Sequence, residues 1–205
     1  MKKLYEKYLL PLLMDYALKD PRLEKYRKDL VKSAKGKVLE IGLGTGLNLS
    51  HYPKHIQEIT SLENNSGMKP KALEHLSQSH LKLHWYTGQS EKMPFNDQSF
   101  DTVVSSFTLC SLKNIQASLK EIHRVLKEEG RFLFLEHGLS HDPQVAKWQR
   151  RLNPLQQSLG GGCQLTRNMG EILNQAGFSF EKLSHFDYPH WPKIWGSFYQ
   201  GVAKK

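Results

Sequence analysis

"VLEIGLGTGLNLSHYP", residues 38–53, sets three glycines, Gly42, Gly44 and Gly46, directly behind a short apolar run. Residues 37–41 read as a β-branched and apolar strand, and closely spaced glycines after a strand mark a turn where something approaches the backbone. The spacing is G-x-G-x-G. A dinucleotide grip uses G-x-G-x-x-G, and Leu47 stands where its last glycine would be. No P-loop lysine follows the glycines, which argues against hydrolysis of a nucleoside triphosphate.

Around this turn, strand and helix patterns alternate. Residues 57–63, 81–88, 102–104 and 131–138 read as strands, and residues 69–78 as a helix. Residues 114–130 form an amphipathic helix with Ile115, Leu119, Ile122, Val125 and Leu126 on its apolar face, Asn114 as N-cap and Gly130 as its stop. A helix is also expected from near Leu47. Upstream, residues 4–18 and 21–33 read as two helices broken at Asp20–Pro21. Downstream, residues 143–162 carry Val145, Trp148, Leu152, Leu155 and Leu159 at helical spacing, with Trp148 expected in the core. Thr166 is the expected cap of a helix ending at Gly177. Strands near 178–186 and 194–203 are separated by only about ten residues, too few for a crossover helix, so this pair is antiparallel. The fold expected is α/β: a doubly wound, mostly parallel seven-stranded sheet with an antiparallel last strand.

Two carboxylates flank the glycine turn. Glu63 ends the second strand, where it suits ribose hydroxyls, and Glu40 precedes the glycines, where it can accept from an ammonium group. The bulk properties fit one soluble domain: 205 residues, 39% hydrophobic and 24% charged, with no repeat and no run near the ~20 residues of a membrane span. The N-terminal "MKKLYEKYLLPLLMDY" lacks a cleavage pattern and reads as mature sequence. With two cysteines, Cys110 and Cys163, and scattered histidines, neither a disulfide framework nor a metal motif is expected, and the expected location is cytoplasmic. The net charge of +9 is spread along the chain without a block of like charges, so no specific nucleic-acid partner is expected.

"VLEIGLGTG", "LENNSGM", "GQSEKMPFNDQSFDTVVSSFTLC" and "LKEIHRVLKEEGRFLFLEHG" follow one another as the motifs of class I S-adenosylmethionine-dependent methyltransferases do. The resemblance covers residues 35–138. "FLEHG", "WQRRLNP" and "GGGCQLTRN" resemble the group that includes thiol S-methyltransferases, and quinone-biosynthesis C-methyltransferases are next nearest through "MPFNDQSFDTVVSSF".

The resemblance implies a Rossmann-like methyltransferase domain over residues 1–205. Residues 1–34 would form a helical cap, 35–138 the cofactor-binding core and 139–205 the substrate side. It implies S-adenosylmethionine as methyl donor and S-adenosylhomocysteine as product. Gly42, Gly44 and Gly46 would lie against its methionine part and ribose, with Glu40 near the amino group and Glu63 on the ribose. Asn64 and Met68 would flank adenine, Gln89 and Ser90 would lie near its amino group, and Ser106 and Phe107 beneath the methionine part. Gln89 stands where relatives usually carry an aspartate. Methyl transfer from a sulfonium needs alignment above all, and a base only for weak nucleophiles. Glu136 and His137, ending the fifth strand, are the base candidates, and His141 a weaker one. Tyr5, Tyr8, Cys163 and Trp191 are the expected substrate contacts. The acceptor implied is small and fairly apolar, a thiol first; methylation of a quinone precursor or lipid head group, or cofactor binding without catalysis, are the alternatives. Membrane contact would be at most peripheral, through the N-terminal helix and Lys2, Lys3 and Lys7.

Overall fold

The computed structural model describes residues 4–205, so the expectation placed on Lys2 and Lys3 lies outside it. Seven strands form one sheet: β1 (Val38–Ile41), β2 (Glu58–Glu63), β3 (Lys82–Thr87), β4 (Phe100–Ser106), β5 (Leu126–His137), β6 (Ser179–Asp187) and β7 (Ser197–Lys204). Their order is β3-β2-β1-β4-β5-β7-β6. The first five strands pair in parallel, and β7 runs antiparallel to both β5 and β6, as the short final connection requires.

Alternation along the central strands feeds two cores. Leu39, Ile41, Phe132 and Phe134 point to one face, where they meet Leu119, Ile122 and Val125 of a helix over Ile115–Val125. Val38, Leu133 and Leu135 point to the other, against Leu23, Leu30 and Val31. The helices are α1 (Leu10–Leu18), entered by a π-helical turn over Tyr5–Leu9, α2 (Glu24–Val31), α3 (Lys69–Leu76), α4 (Ile115–Val125), α5 (Pro143–Leu159) and α6 (Met169–Gln175).

Three local expectations are corrected. The helix expected from Leu47 is a single 3₁₀ turn, Leu49–His51. Pro53 follows at once and drives Tyr52 into an extended conformation with ψ 138°, so a helix has no room to grow. The amphipathic helix stops at Val125 rather than Gly130. The carbonyls of Arg124 and Val125 accept from the amides of Gln98 and Ser99, and Leu126 turns extended to pair with Phe100. Asn114 does cap this helix, accepting from the Ala117 amide at 3.1 Å. The last helix is capped by Asn168, whose side chain accepts from Glu171 N, and not by Thr166.

Candidate active site

The order β2-β1-β4 places the switch of chain direction between β1 and β4, where open α/β sheets bind ligands at the carboxyl ends of their strands. A cavity of about 650 Å³ opens there. Its walls are the loops after β1, β2, β3 and β4, closed on one side by Leu10, Met14 and Leu18 of α1.

The glycine turn divides its labour. Gly42, Gly44 and Gly46 have φ of +62°, +59° and +84°, where only glycine is unstrained. A Cβ on Gly42 would lie 2.2 Å from Thr108 Oγ1, and one on Gly46 would lie 2.7 Å from Leu49 Cδ1. Those two glycines therefore serve packing within the protein. Only at Gly44 would a side chain meet open space, its nearest neighbour being the Gly42 carbonyl at 3.8 Å. Gly42 and Gly44 line the cavity and Gly46 does not.

Glu63 sits at the rim of the turn, 7% exposed. Its two oxygens accept one backbone N–H each, from Gly44 at 2.9 Å and from Asn65 at 2.7 Å. A carboxylate oxygen has a second acceptor position, so both oxygens can take a pair of hydroxyls as well. Burial raises the Glu63 carboxyl above its ordinary range, opposed by these amides.

Glu40 lies deeper. It accepts from Asn48 Nδ2 and the Tyr52 hydroxyl, each at 2.7 Å, and burial pushes it up to about 7. Asn48 passes the contact on, accepting at 2.9 Å from Arg27 Nη1, which also donates to Ser106 Oγ at 3.2 Å. Arg27 lines the cavity, and burial lowers it to about 10. Arg27 does not stand out in the sequence as a site residue. It shares the buried stripe of its helix with Leu23, Leu30 and Val31, and a charge on an apolar stripe was the available signal.

Asn64, Met68, Gln89, Ser90, Ser106 and Phe107 also line the cavity. Phe107 takes φ +52°, rare for a bulky residue, which aims its ring between the Arg27 guanidinium at 5.6 Å and Phe198 at 5.3 Å. S-adenosylmethionine fits these donors. Glu63 offers acceptors for a diol, Arg27 a cation for a carboxylate, and Gly44 a backbone without a side chain beside both.

The residues expected to contact substrate, and the two base candidates, are placed elsewhere. Tyr5 donates its hydroxyl to the Leu159 carbonyl, and Tyr8 is 59% exposed. Trp191 packs edge-on to Phe198 and against the His137 ring, and Cys163 is buried. None of the four lines the cavity. Glu136 is fully buried behind its wall, accepting from Ser105 Oγ at 2.6 Å and from the amides of Thr108 and Cys110. Burial raises its pKa. Its geometry is that of a pin for the loop after β4. His137 lies beside it, also off the cavity, with its ring 5.0 Å from that of Phe107. His141 lies instead 3.0 Å from His185. Trp148 is 51% exposed under the Arg151 guanidinium, not in the core.

Residues 39–134 match the family model described as "Methyltransferase domain". A human thiol S-methyltransferase is 34% identical over 161 residues, covering 77% of this chain and 66% of that protein. A rat thiol S-methyltransferase is 31% identical over 190 residues, covering 86% of this chain and 76% of its own. Among solved structures, an S-adenosylmethionine-dependent methyltransferase from Thermotoga maritima has the same fold, with a TM-score of 0.70 at 19% identity over 98% of this chain and 97% of that one.

Proposed function

Because the chain belongs to the S-adenosylmethionine-dependent methyltransferases and resembles their thiol S-methyltransferases, we propose that it methylates a small, fairly apolar thiol. The observation that carries this reading is the cavity wall. Leu10, Met14, Phe107 and Leu112 supply an apolar surface beside Ser106, while Glu136 and His137 are withdrawn behind it. A thiol with an ordinary pKa near 8.5 is partly thiolate at neutral pH and needs no help from the withdrawn Glu136 and His137, whereas a carbon acid needs a base.

When bound, S-adenosylmethionine supplies a methyl group on a good leaving group. In this reading Arg27 holds the carboxylate of its methionine part, steadied by Asn48 and Ser106. Glu63 accepts from the ribose hydroxyls, the Gly44 backbone borders both, and Asn64, Met68, Gln89 and Ser90 form the adenine side. Glu40, itself on the cavity wall, faces the amino group of the methionine part and also orients Arg27 through Asn48. The residues of α1 exclude water from the acceptor side and align the thiol for in-line displacement. In this reading the described residues act as one domain, with residues 4–34 as its cap.

Among the described residues no helix is long and apolar enough to cross a membrane. Tyr8, Leu9, Leu12, Leu13 and Tyr16 are nevertheless exposed on the cap, which favours an acceptor that partitions into apolar surroundings.

The test is formation of S-adenosylhomocysteine from S-adenosylmethionine with a panel of alkyl and aryl thiols, quinols and lipid head groups. Turnover that rises with thiol apolarity supports the reading. Turnover with quinols or lipids alone replaces the acceptor, and binding without turnover leaves a non-catalytic binder. No binding of S-adenosylhomocysteine removes the cofactor site.

A further inference from the structure

Cys110, His137 and Cys163 come from three separate parts of the chain, the loop after β4, the end of β5 and the loop after α5, and meet behind the cavity wall. One donor atom from each lies within 4.8 Å of the others, and all three residues are buried. The two sulfurs are 3.5 Å apart and Cys163 Sγ is 3.7 Å from His137 Nδ1. The sulfurs are not joined in a disulfide. We propose that these three side chains form a binding site for a thiophilic divalent cation of the zinc type.

The distances carry the proposal. Zinc with bonds of ~2.3 Å to sulfur and ~2.0 Å to nitrogen, at tetrahedral angles, sets donor–donor edges of about 3.5–3.8 Å. Two of the three edges already have that length. The donor set of two thiols and an imidazole selects zinc-like ions over magnesium or calcium, and three protein donors leave one position for a water. The ligating nitrogen would be His137 Nδ1, the one that lies 3.7 Å from the Cys163 sulfur.

The site is also held in shape. The Gln164 amide donates to the Cys110 carbonyl at 2.9 Å, and the Cys163 amide to the Gly160 carbonyl at 3.1 Å. Glu136 accepts from the Cys110 amide at 3.3 Å, and the Arg167 guanidinium donates to the carbonyls of Leu109 and Leu112.

Binding of one Zn²⁺ replaces the two thiol protons, which pass to the buffer, and no oxidation is involved. The metal would clamp the loop holding Phe107, Thr108 and Ser111 to the loop holding Gly160 and Gly161, both of which line the cavity.

The full chain, purified under reductant and stripped with a chelator, is titrated with Co²⁺ and then Zn²⁺. One cobalt per chain with an intense sulfur-to-cobalt absorption, displaced by zinc with release of about two protons, supports the site. Cys163→Ser and Cys110→Ser should each weaken binding at least tenfold and lower the sulfur-to-cobalt absorption at a given cobalt concentration. Circular dichroism verifies each variant, and His137→Asn, which keeps both thiols, is the second probe should a cysteine variant not fold. No binding by the wild-type chain, or binding unaltered in all three variants, overturns the proposal. Neither readout depends on methyl transfer, so the proposed activity and this site stand or fall separately.

Discussion

Thr108 Oγ1 donates to the carbonyl of Gly42 at 3.1 Å and occupies the space that a side chain at residue 42 would need. Gly42→Ala should therefore destabilise the fold by about 2–4 kcal/mol, roughly 1 from the left-handed backbone and the rest from overpacking. Thr108→Gly added to Gly42→Ala should recover part of the loss. Urea unfolding of the single and double variants measures this. Strictly additive losses would show that the two residues do not compete for space.

At Gly44 the same substitution meets open cavity, so Gly44→Ala should cost only the backbone strain, about 1 kcal/mol. Its larger effect is expected on the ligand. S-adenosylhomocysteine should bind at least tenfold more weakly by calorimetry, and undiminished affinity would mean that the ligand does not pass Gly44.

Arg27→Met should weaken binding of S-adenosylhomocysteine by about 1–3 kcal/mol, the worth of a charged hydrogen-bonded contact. Binding of 5′-methylthioadenosine, which has no carboxylate, should barely change. Equal losses for both compounds would make Arg27 a structural residue of the pocket rather than a carboxylate contact.

Glu40 makes stability depend on pH. Its folded pKa, about 7, lies above the ordinary value of 4.5, so between these two the folded state binds more protons than the unfolded. Stability contributed by protonated Glu40 is complete below the lower value and falls as pH rises towards 7. The ceiling is about 3 kcal/mol at 1.36 kcal/mol per unit. Glu63 and Glu136, also raised by burial, act in the same direction, and His51, lowered by burial, opposes them. The difference between wild type and Glu40→Gln, followed by urea midpoints from pH 5 to pH 8, isolates Glu40. Parallel curves would contradict the assignment.

Trp148→Ser should alter stability by less than about 0.5 kcal/mol, because the ring is half exposed. Phe134→Ala, a fully buried ring in the sheet core, should cost about 3–5 kcal/mol. Comparable losses from the two would place Trp148 in a core after all.

Chain-local physics was legible in the residues. Short β-branched and apolar runs gave the strands, the short final connection gave the antiparallel pair, and closely spaced glycines after β1 located the crevice. Glu63 could be placed because it ends a strand beside that turn. What depended on partners far along the chain was not legible. Gly42 needs its hydrogen because Thr108 stands opposite, and that pairing exists only because β4 lies next to β1. Helical spacing put Trp148 on an apolar face, but among the described residues no element buries its ring. The helix from Leu47 and the Gly130 stop failed because a proline and a neighbouring strand outweighed local propensity. By itself the sequence determined most of the elements and the end of the sheet that carries the crevice, since both follow from backbone preference and runs of apolar residues. The tertiary structure decided which side chains face the cavity: it buried Arg27 there, withdrew Glu136 and His137 behind the wall, and brought Cys110 and Cys163 together. Those outcomes depend on through-space contacts set by strand order, which no spacing along the chain encodes.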